Sequence, residues 1–479
     1  ASDVYKRQLC MSSRVLEPIP RDRRVYRGID VFLLWVGGNT CLATIFTGGV
    51  IAPRLGLPWS IAIIITASTL GGALLGATAV LGERKGLPTM VLSREVIGVK
   101  GSYIASILNT IQLIGWTSIL LYASAEAATE TVKHLLNTST PLSSTVFWVL
   151  AIGIIETLYT MMGAERWVLY QRIAVTTLLL VLGYETWTLL GYMLSNPIAL
   201  EVRASLGDLL WGFDMVLATA ISWAPLVADY SRFATSAVGA ALGTWWGYTL
   251  SSYVLYSIGA LAAIVTGAYL GDPTEVAIAL GLAPIVLVFI VISAVTTNLL
   301  NLYSATISTL NVFPRASYRL LVALYGAISI ALTVFPIFFT YFELFLYYIG
   351  IVFVPLTAVL IAHNIVLRKD RQITNMKTTI TLGFISWITG IAVGIALLDI
   401  VGYGATIASL VVALTLDTVL LKLFSKDFIT SLHTLLTAKI FKSIARWLHA
   451  KASQAPGQRS AAADPGEKAF EGYQAREVD

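Results

Sequence analysis

The sequence predicts an all-α polytopic membrane protein with about 12 transmembrane helices, and three observations support this fold class. Hydrophobic residues make up 57% of the 479-residue chain and charged residues 12%, about half the charged share of soluble domains. The mean hydropathy is +0.78. Apolar runs of about 20 residues, long enough to span the hydrocarbon of a bilayer, recur between Ile29 and Leu423.

The reactive residue types argue against several other classes of protein. The two cysteines and four histidines show no ligand spacing, so we expect neither a disulfide framework nor a transition-metal site. No cluster of histidine, cysteine and acidic residues suggests catalysis, and we predict that the protein is not an enzyme and has no cofactor. The net charge of +5 comes from loops and tails, so it indicates membrane orientation rather than a nucleic-acid partner.

Short polar loops separate the predicted spans, which cover residues 29–51, 59–81, 102–128, 144–163, 168–191, 211–231, 239–268, 280–310, 317–336, 338–363, 378–398 and 402–423. Lysine and arginine are concentrated in the loops predicted to lie inside. The predicted outside loops contain only Arg54, Lys133 and Arg203. This positive-inside bias predicts a plasma-membrane protein with both termini cytoplasmic.

The spans suggest an internal division of the chain into two inverted repeats of five helices and additional segments. Residues 425–451 alternate basic and apolar residues, which predicts an amphipathic helix on the inner leaflet; a plain solvated helix is the alternative. The predicted segments are a cytoplasmic tail (1–28), the first repeat (29–195), the second repeat (205–365), helices 11 and 12 (375–424), the amphipathic helix (425–451) and a disordered tail (452–479).

Two interruptions at corresponding positions support the repeat. Gly37-Gly38-Asn39 follows Trp35 in the first span, and Ala224-Pro225 follows Trp223 in the sixth. Proline lacks a backbone donor and opens a helix, and paired broken helices indicate a transporter binding site. The alternatives are a glycine pair that only packs closely and a simple proline kink. Asn39 and Ser222, which adjoin the breaks, are predicted to contact substrate.

The sixth span also carries charge. In the stretch ISWAPLVADYSRF, Asp229 would cost about 2.5–3.5 kcal/mol at a helix centre unless it met a partner or a wet cavity. We therefore predict that Pro225, Asp229 and Arg232 take part in gating or coupling. The alternative is a kinked helix that ends at a cytoplasmic Asp–Arg pair.

The third span places Asn109, Gln112 and Trp116 on one helix face by their i, i+3, i+7 spacing. Such a face is costly in a bilayer unless it meets polar groups, as in a wet central cavity. We predict that Gln112 and Trp116 bind substrate. The alternative is hydrogen bonding between helices alone.

The eighth span offers hard oxygen donors in SAVTTNLLNLYSATIS. Ser293, Thr296 and Thr297 share a face by i, i+3, i+4 spacing, and they could bind a sodium ion against the opened carbonyls of the first span. Asn298 and Asn301 could meet the donor–acceptor edge of a planar ligand. Alternatively, the hydroxyls bond carbonyls of their own helix.

Five acids within or near the spans are less specific, because each could carry a proton, snorkel or cap a helix: Glu126, Glu156, Glu185, Glu343 and Asp417.

Five stretches together resemble the nucleobase–cation symporters, which include cytosine, purine, allantoin and hydantoin permeases. They are LWVGGN, GLPTMVLSREVIGVKGS, QLIGWTS, SWAPLVADYSRF and TTNLLNLYSATIS, and the resemblance covers about residues 28–425. The third- and sixth-span stretches look most like the subgroup thought to import hydroxymethylpyrimidine.

The resemblance implies a leucine-transporter-like core with sodium- or proton-coupled alternating access. Trp116 matches the family tryptophan that stacks on the ligand ring, and Trp223 is the candidate for the other side. Thr296 and Thr297 match the family's sodium ligands, with backbone carbonyls at Gly38 and Cys41 completing the site. The chain departs from one family member at Leu120, where that member has a glutamine.

We therefore predict cation-coupled import of a flat heteroaromatic base, such as cytosine or hydroxymethylpyrimidine, with Na⁺ or H⁺ as the coupling ion. The alternatives are a purine, allantoin or hydantoin symporter and, from another class, an ion channel lined by opened helices.

Overall fold

The computed structural model describes residues 16–136, 140–163, 167–195, 204–266, 283–333, 341–366 and 376–424. The chain divides into two compact units, Ala1–Lys422 and Leu423–Asp479. Nearly all of the second unit lies outside the described residues, and so do the predicted amphipathic helix (425–451) and disordered tail (452–479).

Long helices make up the first unit, because backbone groups in hydrocarbon must find partners within their own segment. In chain order the α-helices are α1 (Gly28–Asn39), α2 (Leu42–Leu55), α3 (Leu57–Lys85), α4 (Thr89–Leu136), α5 (Thr145–Thr160), α6 (Val168–Ser195), α7 (Leu206–Ile221), α8 (Val227–Ser231), α9 (Ala237–Thr266), α10 (Ala283–Val312), α11 (Tyr318–Leu332), α12 (Phe342–Ile361), α13 (Met376–Ile400) and α14 (Ala405–Leu423).

Local sequence sets several helix ends. α3 ends at Gly86, which has a φ of +68° that suits glycine. α7 begins with a capping box, in which the Ser205 hydroxyl accepts from the Asp208 amide at 3.2 Å and the Asp208 carboxylate accepts from the Ser205 amide at 2.9 Å. Gly98, with a φ of +74°, kinks α4, so the predicted third span (102–128) follows this kink.

Within the described residues, eight helices are long and apolar enough to cross a membrane, or nine if the bent pair α1–α2 counts as one span. α5 and α11 are shorter apolar helices. The number of twelve spans stays a prediction, although a helix occupies the described part of every predicted span.

The first span changes direction sharply at its centre. α1 ends at Asn39 and α2 begins at Leu42, and the two helices are bent by 60°. Thr40 and Cys41 link them. No hydrogen bond to the Gly38 carbonyl oxygen is formed from within the described residues, which leaves this oxygen free to accept.

The sixth span is interrupted more gently. α7 ends at Ile221, a 3-10 turn covers Ala224–Leu226, and α8 follows at once. Residues 206–231 nevertheless form one apolar span of 26 residues. Pro225 lies in the turn, where a missing backbone donor is tolerated.

Close helix packing surrounds the first span. α9 packs along α1, α2 and α3, and α10 packs along α4. At the α2–α9 contact a Cβ added to Gly48 would lie 2.0 Å from the Tyr256 carbonyl oxygen, and one added to Gly259 would lie 1.8 Å from the Ile45 carbonyl oxygen. Only glycine permits this approach of two backbones.

Residues 16–27 are packed against the helices, rather than forming a free tail in the part of segment 1–28 that the structure describes. Ile19 donates to the Gly86 carbonyl at 2.9 Å, and Arg24 forms a buried ion pair with Glu83 at 3.1 Å. The Tyr26 amide donates to the Phe233 carbonyl at 2.9 Å. This N-terminal strap (residues 16–27) thus contacts both the end of α3 and the segment after α8.

Candidate functional site

A pocket lies where the interrupted first and sixth spans meet the third and eighth. The empty space between its lining atoms, which includes the open space at its mouth, is about 330 Å³. The lining residues come from four helical segments: Cys41, Ala43, Thr44, Trp116, Leu120, Thr219, Ser222, Trp223 and Asn301.

Two tryptophans supply most of the aromatic surface of the pocket. Trp116 on α4 and Trp223 after α7 are each 7% exposed. Trp116 is braced edge-on by Phe345 at a centroid distance of 5.4 Å, and Trp223 by Trp35 at 5.7 Å. Braced indole faces suit a flat ring, because aromatic contacts depend on orientation.

None of these lining residues carries a formal charge. Burying an unpaired charge in such a site would be costly, so the pocket suits a neutral ligand with polar edges. Among the predicted substrate residues, the structure brings Trp116, Trp223, Ser222 and Asn301 together at the pocket.

Gln112 lies beside the pocket rather than among its lining residues. Its Nε2 donates to Asn109 Oδ1 at 2.7 Å and to the Ser222 carbonyl at 3.1 Å. Its Oε1 is buried and has no partner among the described residues. Gln112 therefore holds the opened end of α7 and retains one unused acceptor.

Asn298 also lies behind the pocket wall. Its Nδ2 donates to the Thr117 carbonyl at 3.2 Å and to Glu156 Oε2 at 2.9 Å. Its Oδ1 accepts from Asn301 Nδ2 at 3.3 Å. Asn298 thus links Asn301 in the pocket to an acid on α5, and direct substrate contact by Asn298 stays a prediction.

Asn39 is not among the residues that line the pocket, and its contact with substrate stays a prediction. Asn39 is fully buried, and its Nδ2 donates to Ser251 and Ser252 hydroxyls, each at 2.9 Å. Its carbonyl oxygen accepts from the Thr44 hydroxyl at 2.8 Å. The amide therefore ties the first break to α9, because these hydroxyls satisfy its donor away from the pocket.

The predicted cation residues lie where α10 faces the first break. The Thr296 hydroxyl is 3.4 Å from the Gly37 carbonyl oxygen, but it also bonds the Ile292 carbonyl of its own helix at 3.0 Å. Ser293 likewise donates to the Ile290 carbonyl at 3.1 Å. Both hydroxyls therefore bond carbonyls of their own helix, as in the alternative to cation binding that the sequence left open.

Thr297 behaves differently from its neighbours. Its Oγ1 is fully buried and has no hydrogen-bond partner among the described residues. This orphaned oxygen and the free Gly38 carbonyl are hard donors of the kind that an alkali cation takes. The Cys41 carbonyl already accepts from Thr44 at 3.1 Å but retains a second lone pair. The residues present thus fit a cation, whose binding stays a proposal.

The predicted gating residues are buried below the sixth-span turn. Asp229 Oδ1 accepts from the Thr89 amide at 2.9 Å, while the Thr89 hydroxyl accepts from the Ala228 amide at 2.9 Å. Arg232 donates to the Tyr303 hydroxyl at 2.7 Å. α8 is therefore locked to the start of α4 and to α10, and a gating role for Pro225, Asp229 and Arg232 stays a prediction.

Sequence reasoning missed Thr44, Thr219 and Phe345. Thr219, Ser222 and Trp223 share a face by i, i+3, i+4 spacing, a signal that was available. Thr44 is in the first turn of α2 after the break. Phe345 had no signal, because its contact with Trp116 depends on how α12 packs.

Broken apolar helices around a neutral, indole-lined pocket define a membrane transporter of small molecules. A family model described as permease for cytosine/purines, uracil, thiamine, allantoin matches residues 18–412. The chain belongs to this family, which confirms the predicted nucleobase–cation symporter family. It is therefore a multi-pass membrane transporter and not an enzyme.

Individual relatives agree with the family. The chain is 26% identical to a putative purine-cytosine permease of Bacillus subtilis over 408 residues, which cover 80% of this chain and 86% of the relative. It is 25% identical to the cytosine permease of Escherichia coli K12 over 305 residues, covering 63% and 70% of the two chains. The hydroxymethylpyrimidine subgroup stays a prediction.

Among solved structures, the fold matches Mhp1, a nucleobase-cation-symport-1 family transporter in a closed conformation with bromovinylhydantoin bound. The TM-score is 0.69 at 17% identity, and the match covers 86% of this chain and 96% of Mhp1. At this identity the likeness establishes the fold, and it confirms the predicted all-α transporter fold class. The repeat boundaries, 29–195 and 205–365, stay predictions.

Proposed function

We propose that this protein imports a flat heteroaromatic nucleobase, or a pyrimidine vitamin precursor such as hydroxymethylpyrimidine, across the plasma membrane by cation-coupled alternating access. One observation carries the proposal: a neutral pocket with Trp116 and Trp223 in its wall lies between two interrupted spans. The cytosine and purine permeases among its relatives support the same class of substrate.

Recognition would combine ring contact with edge contact. The two indoles bind a flat ring through their faces, which tolerates different ring types. The Asn301 amide adds selectivity, since a ligand that leaves a buried polar group unpaired loses about 1–3 kcal/mol. Leu120 makes one wall apolar where a family member has glutamine. Polar contacts to the ligand would therefore come from Asn301 and Gln112 instead.

Coupling would follow from the position of the cation residues. Thr296 and Thr297 lie on α10 in the turn before Asn301, and the Thr296 hydroxyl is 3.4 Å from the Gly37 carbonyl oxygen at the first break. A cation bound there would favour the arrangement of α1 and α10 that forms the substrate pocket. A ligand shifts such an equilibrium only by its differential affinity for the two states.

The test is uptake of labelled cytosine, uracil, hydroxymethylpyrimidine and hypoxanthine into proteoliposomes, with inward Na⁺, K⁺ or H⁺ gradients. We expect saturable uptake of at least one base, driven by a Na⁺ or H⁺ gradient, and exchange of labelled for unlabelled base. Trp116→Ala is expected to reduce apparent affinity at least about 30-fold, as for a buried aromatic anchor worth about 2 kcal/mol.

Trp187→Ala is the matched control, because Trp187 is 77% exposed on α6 and is not among the residues that line the pocket. It should leave uptake unchanged. Non-saturable ion flux without base exchange would instead indicate the channel alternative. A folded protein that transports none of these bases under any gradient would contradict the proposal.

A further inference from the structure

Glu156 is a buried acid that has no oppositely charged partner in the part of the membrane bundle that the structure describes. It lies on α5, is 0% exposed, and makes no ion pair among the described residues. Its Oε2 accepts from Asn298 Nδ2 at 2.9 Å, while its Oε1 is buried without a partner in the described part of the chain. A buried carboxyl group is costly, so its one hydrogen bond to Asn298 calls for an explanation.

That hydrogen bond fixes which end of the Asn298 amide points where. The Nδ2 group faces two acceptors, Glu156 Oε2 and the Thr117 carbonyl. A rotated amide would place Oδ1 against the Thr117 carbonyl, and also against Glu156 Oε2 when that oxygen holds no proton, so this orientation is preferred. Oε2 can accept whether or not Oε1 holds a proton.

The orientation of the Asn298 amide in turn determines the orientation of the Asn301 amide. Because Asn298 presents Oδ1, Asn301 must turn its Nδ2 toward Asn298, where it donates at 3.3 Å. The Asn301 side chain also lines the pocket. Its Oδ1 acceptor and its second Nδ2 hydrogen therefore remain for a ligand.

Gln112 has the same polarity for an independent reason. The Ser222 carbonyl and Asn109 Oδ1 both engage its Nε2, and its buried Oε1 has no partner within the described ranges. Two amide oxygens at or beside the pocket are thus available as acceptors. Such oxygens call for hydrogen-bond donors on the ligand.

We propose that Glu156, although outside the pocket, is a positioning residue that orients Asn298 and Asn301 so that the site presents a carbonyl acceptor to its ligand. The inference rests on the proposed function and deepens it. It predicts preference for a ring that carries an exocyclic amine over a ring with a carbonyl at that position. Cytosine and uracil differ in this way, with an amino donor in one and a carbonyl acceptor in the other.

The first experiment uses the unaltered protein. Competition by unlabelled cytosine and uracil for uptake of the transported base gives their affinity ratio. We expect cytosine to bind about 5- to 150-fold more tightly, the factor that corresponds to one unpaired buried polar group. Equal affinities, or a preference for uracil, would overturn the inference while leaving nucleobase transport intact.

The second experiment compares Glu156→Gln with Glu156→Leu. Glutamine retains an acceptor oxygen for Asn298, so we expect the cytosine preference of Glu156→Gln to stay within about threefold of the unaltered ratio. Leucine removes one of the two acceptors and leaves only the Thr117 carbonyl to hold the Asn298 amide, so the orientation weakens and we expect the preference to fall about tenfold. Glu126→Leu, an exposed acid on α4, is the control and should keep the ratio.

This pair also separates positioning from proton carriage. Glutamine cannot carry a proton, so a proton-carrying Glu156 would lose coupled uptake in both variants. Loss of the cytosine preference in both variants, or in neither, would overturn the positioning role. If Glu156→Leu does not fold, a fall of more than about threefold in the Glu156→Gln ratio, or equal affinities of the unaltered protein for the two bases, still overturns the inference. If the unaltered protein binds no nucleobase, the proposed function fails and this inference fails with it.

Discussion

The first and sixth spans are interrupted at related positions but in different ways. The first bends by 60° between α1 and α2, whereas the sixth continues through a 3-10 turn as one apolar span. Near the first break a carbonyl, that of Gly38, has no hydrogen bond from the described residues. Near the sixth break the Ser222 carbonyl is already held by Gln112.

This difference separates two roles. The sharp bend supplies unsatisfied backbone oxygen next to α10, as a cation would need. The gentle turn keeps the helix continuous and directs side chains, those of Ser222 and Trp223, into the pocket. Under the proposed function, the first break would provide main-chain ligands for the cation, and the sixth would provide side-chain ligands for the substrate.

The tryptophans that precede the two breaks show the same contrast, and their truncation is expected to give the largest effects. Trp35 is 0% exposed and does not line the pocket, whereas Trp223 does. Trp35→Ala should lower stability by about 3–5 kcal/mol, as expected for a large cavity in a packed core. Thermal unfolding of the purified protein in detergent measures this loss.

Trp223→Ala is the contrasting variant. Its main effect should be a loss of base affinity of about 30-fold or more, with a smaller change in unfolding temperature. Equal loss of stability in the two variants, with base affinity retained in Trp223→Ala, would show that both tryptophans are core residues and would remove the contrast.

The next effect concerns the cation residues opposite the first break. Thr297→Val should raise the Na⁺ concentration for half-maximal uptake about tenfold, or weaken proton coupling similarly, because an oxygen ligand is lost. It should not lower the unfolding temperature, since the buried hydroxyl it removes has no partner among the described residues.

Thr306→Val is its control on the same helix. Thr306 is equally buried but donates to the Leu302 carbonyl at 2.9 Å, so its loss should affect stability slightly and leave ion dependence unchanged. Identical ion dependence in Thr297→Val and the unaltered protein would contradict the cation assignment.

The smallest effect should come from Pro225→Ala. The 3-10 turn tolerates a residue with or without a backbone donor, so we expect stability to change by less than about 1 kcal/mol. Gly38→Ala should be more severe, since its Cβ would lie 2.4 Å from Leu300 Cδ1. Melting curves measure both, and a Pro225→Ala variant worse than Gly38→Ala would reverse the comparison.

Much of the fold follows from the sequence, because a helix in a membrane must satisfy the hydrogen-bonding groups of its backbone within its own segment. Apolar run length located the helices, and Pro225 and Gly37-Gly38 located the interruptions. The 60° bend did not follow, since a glycine pair permits a break in a helix without setting its angle. The kink at Gly98 was not predicted either, because the residues on both sides of Gly98 are helical.

The residue types that form the site were predictable from the sequence, but the direction in which each side chain points was less so. Trp116, Trp223, Ser222 and Asn301 meet at one pocket. Asn39 is an equally plausible amide in sequence, yet its donor is satisfied by two serines of α9. Which hydroxyls bind an amide depends on the rotation of neighbouring helices about their axes, which helical periodicity leaves undetermined.

The N-terminal strap has a mechanical consequence. Through Ile19 and Arg24 it is fastened to the end of α3, and through Tyr26 to the segment that follows α8. Breaking a buried pair such as Arg24–Glu83 by removing one partner costs about 3–5 kcal/mol. At this end of the bundle the strap thus connects the second span to the sixth. A transport cycle that separates these two spans must first break the contacts of the strap. A cycle that keeps the spans together moves them as a single rigid body.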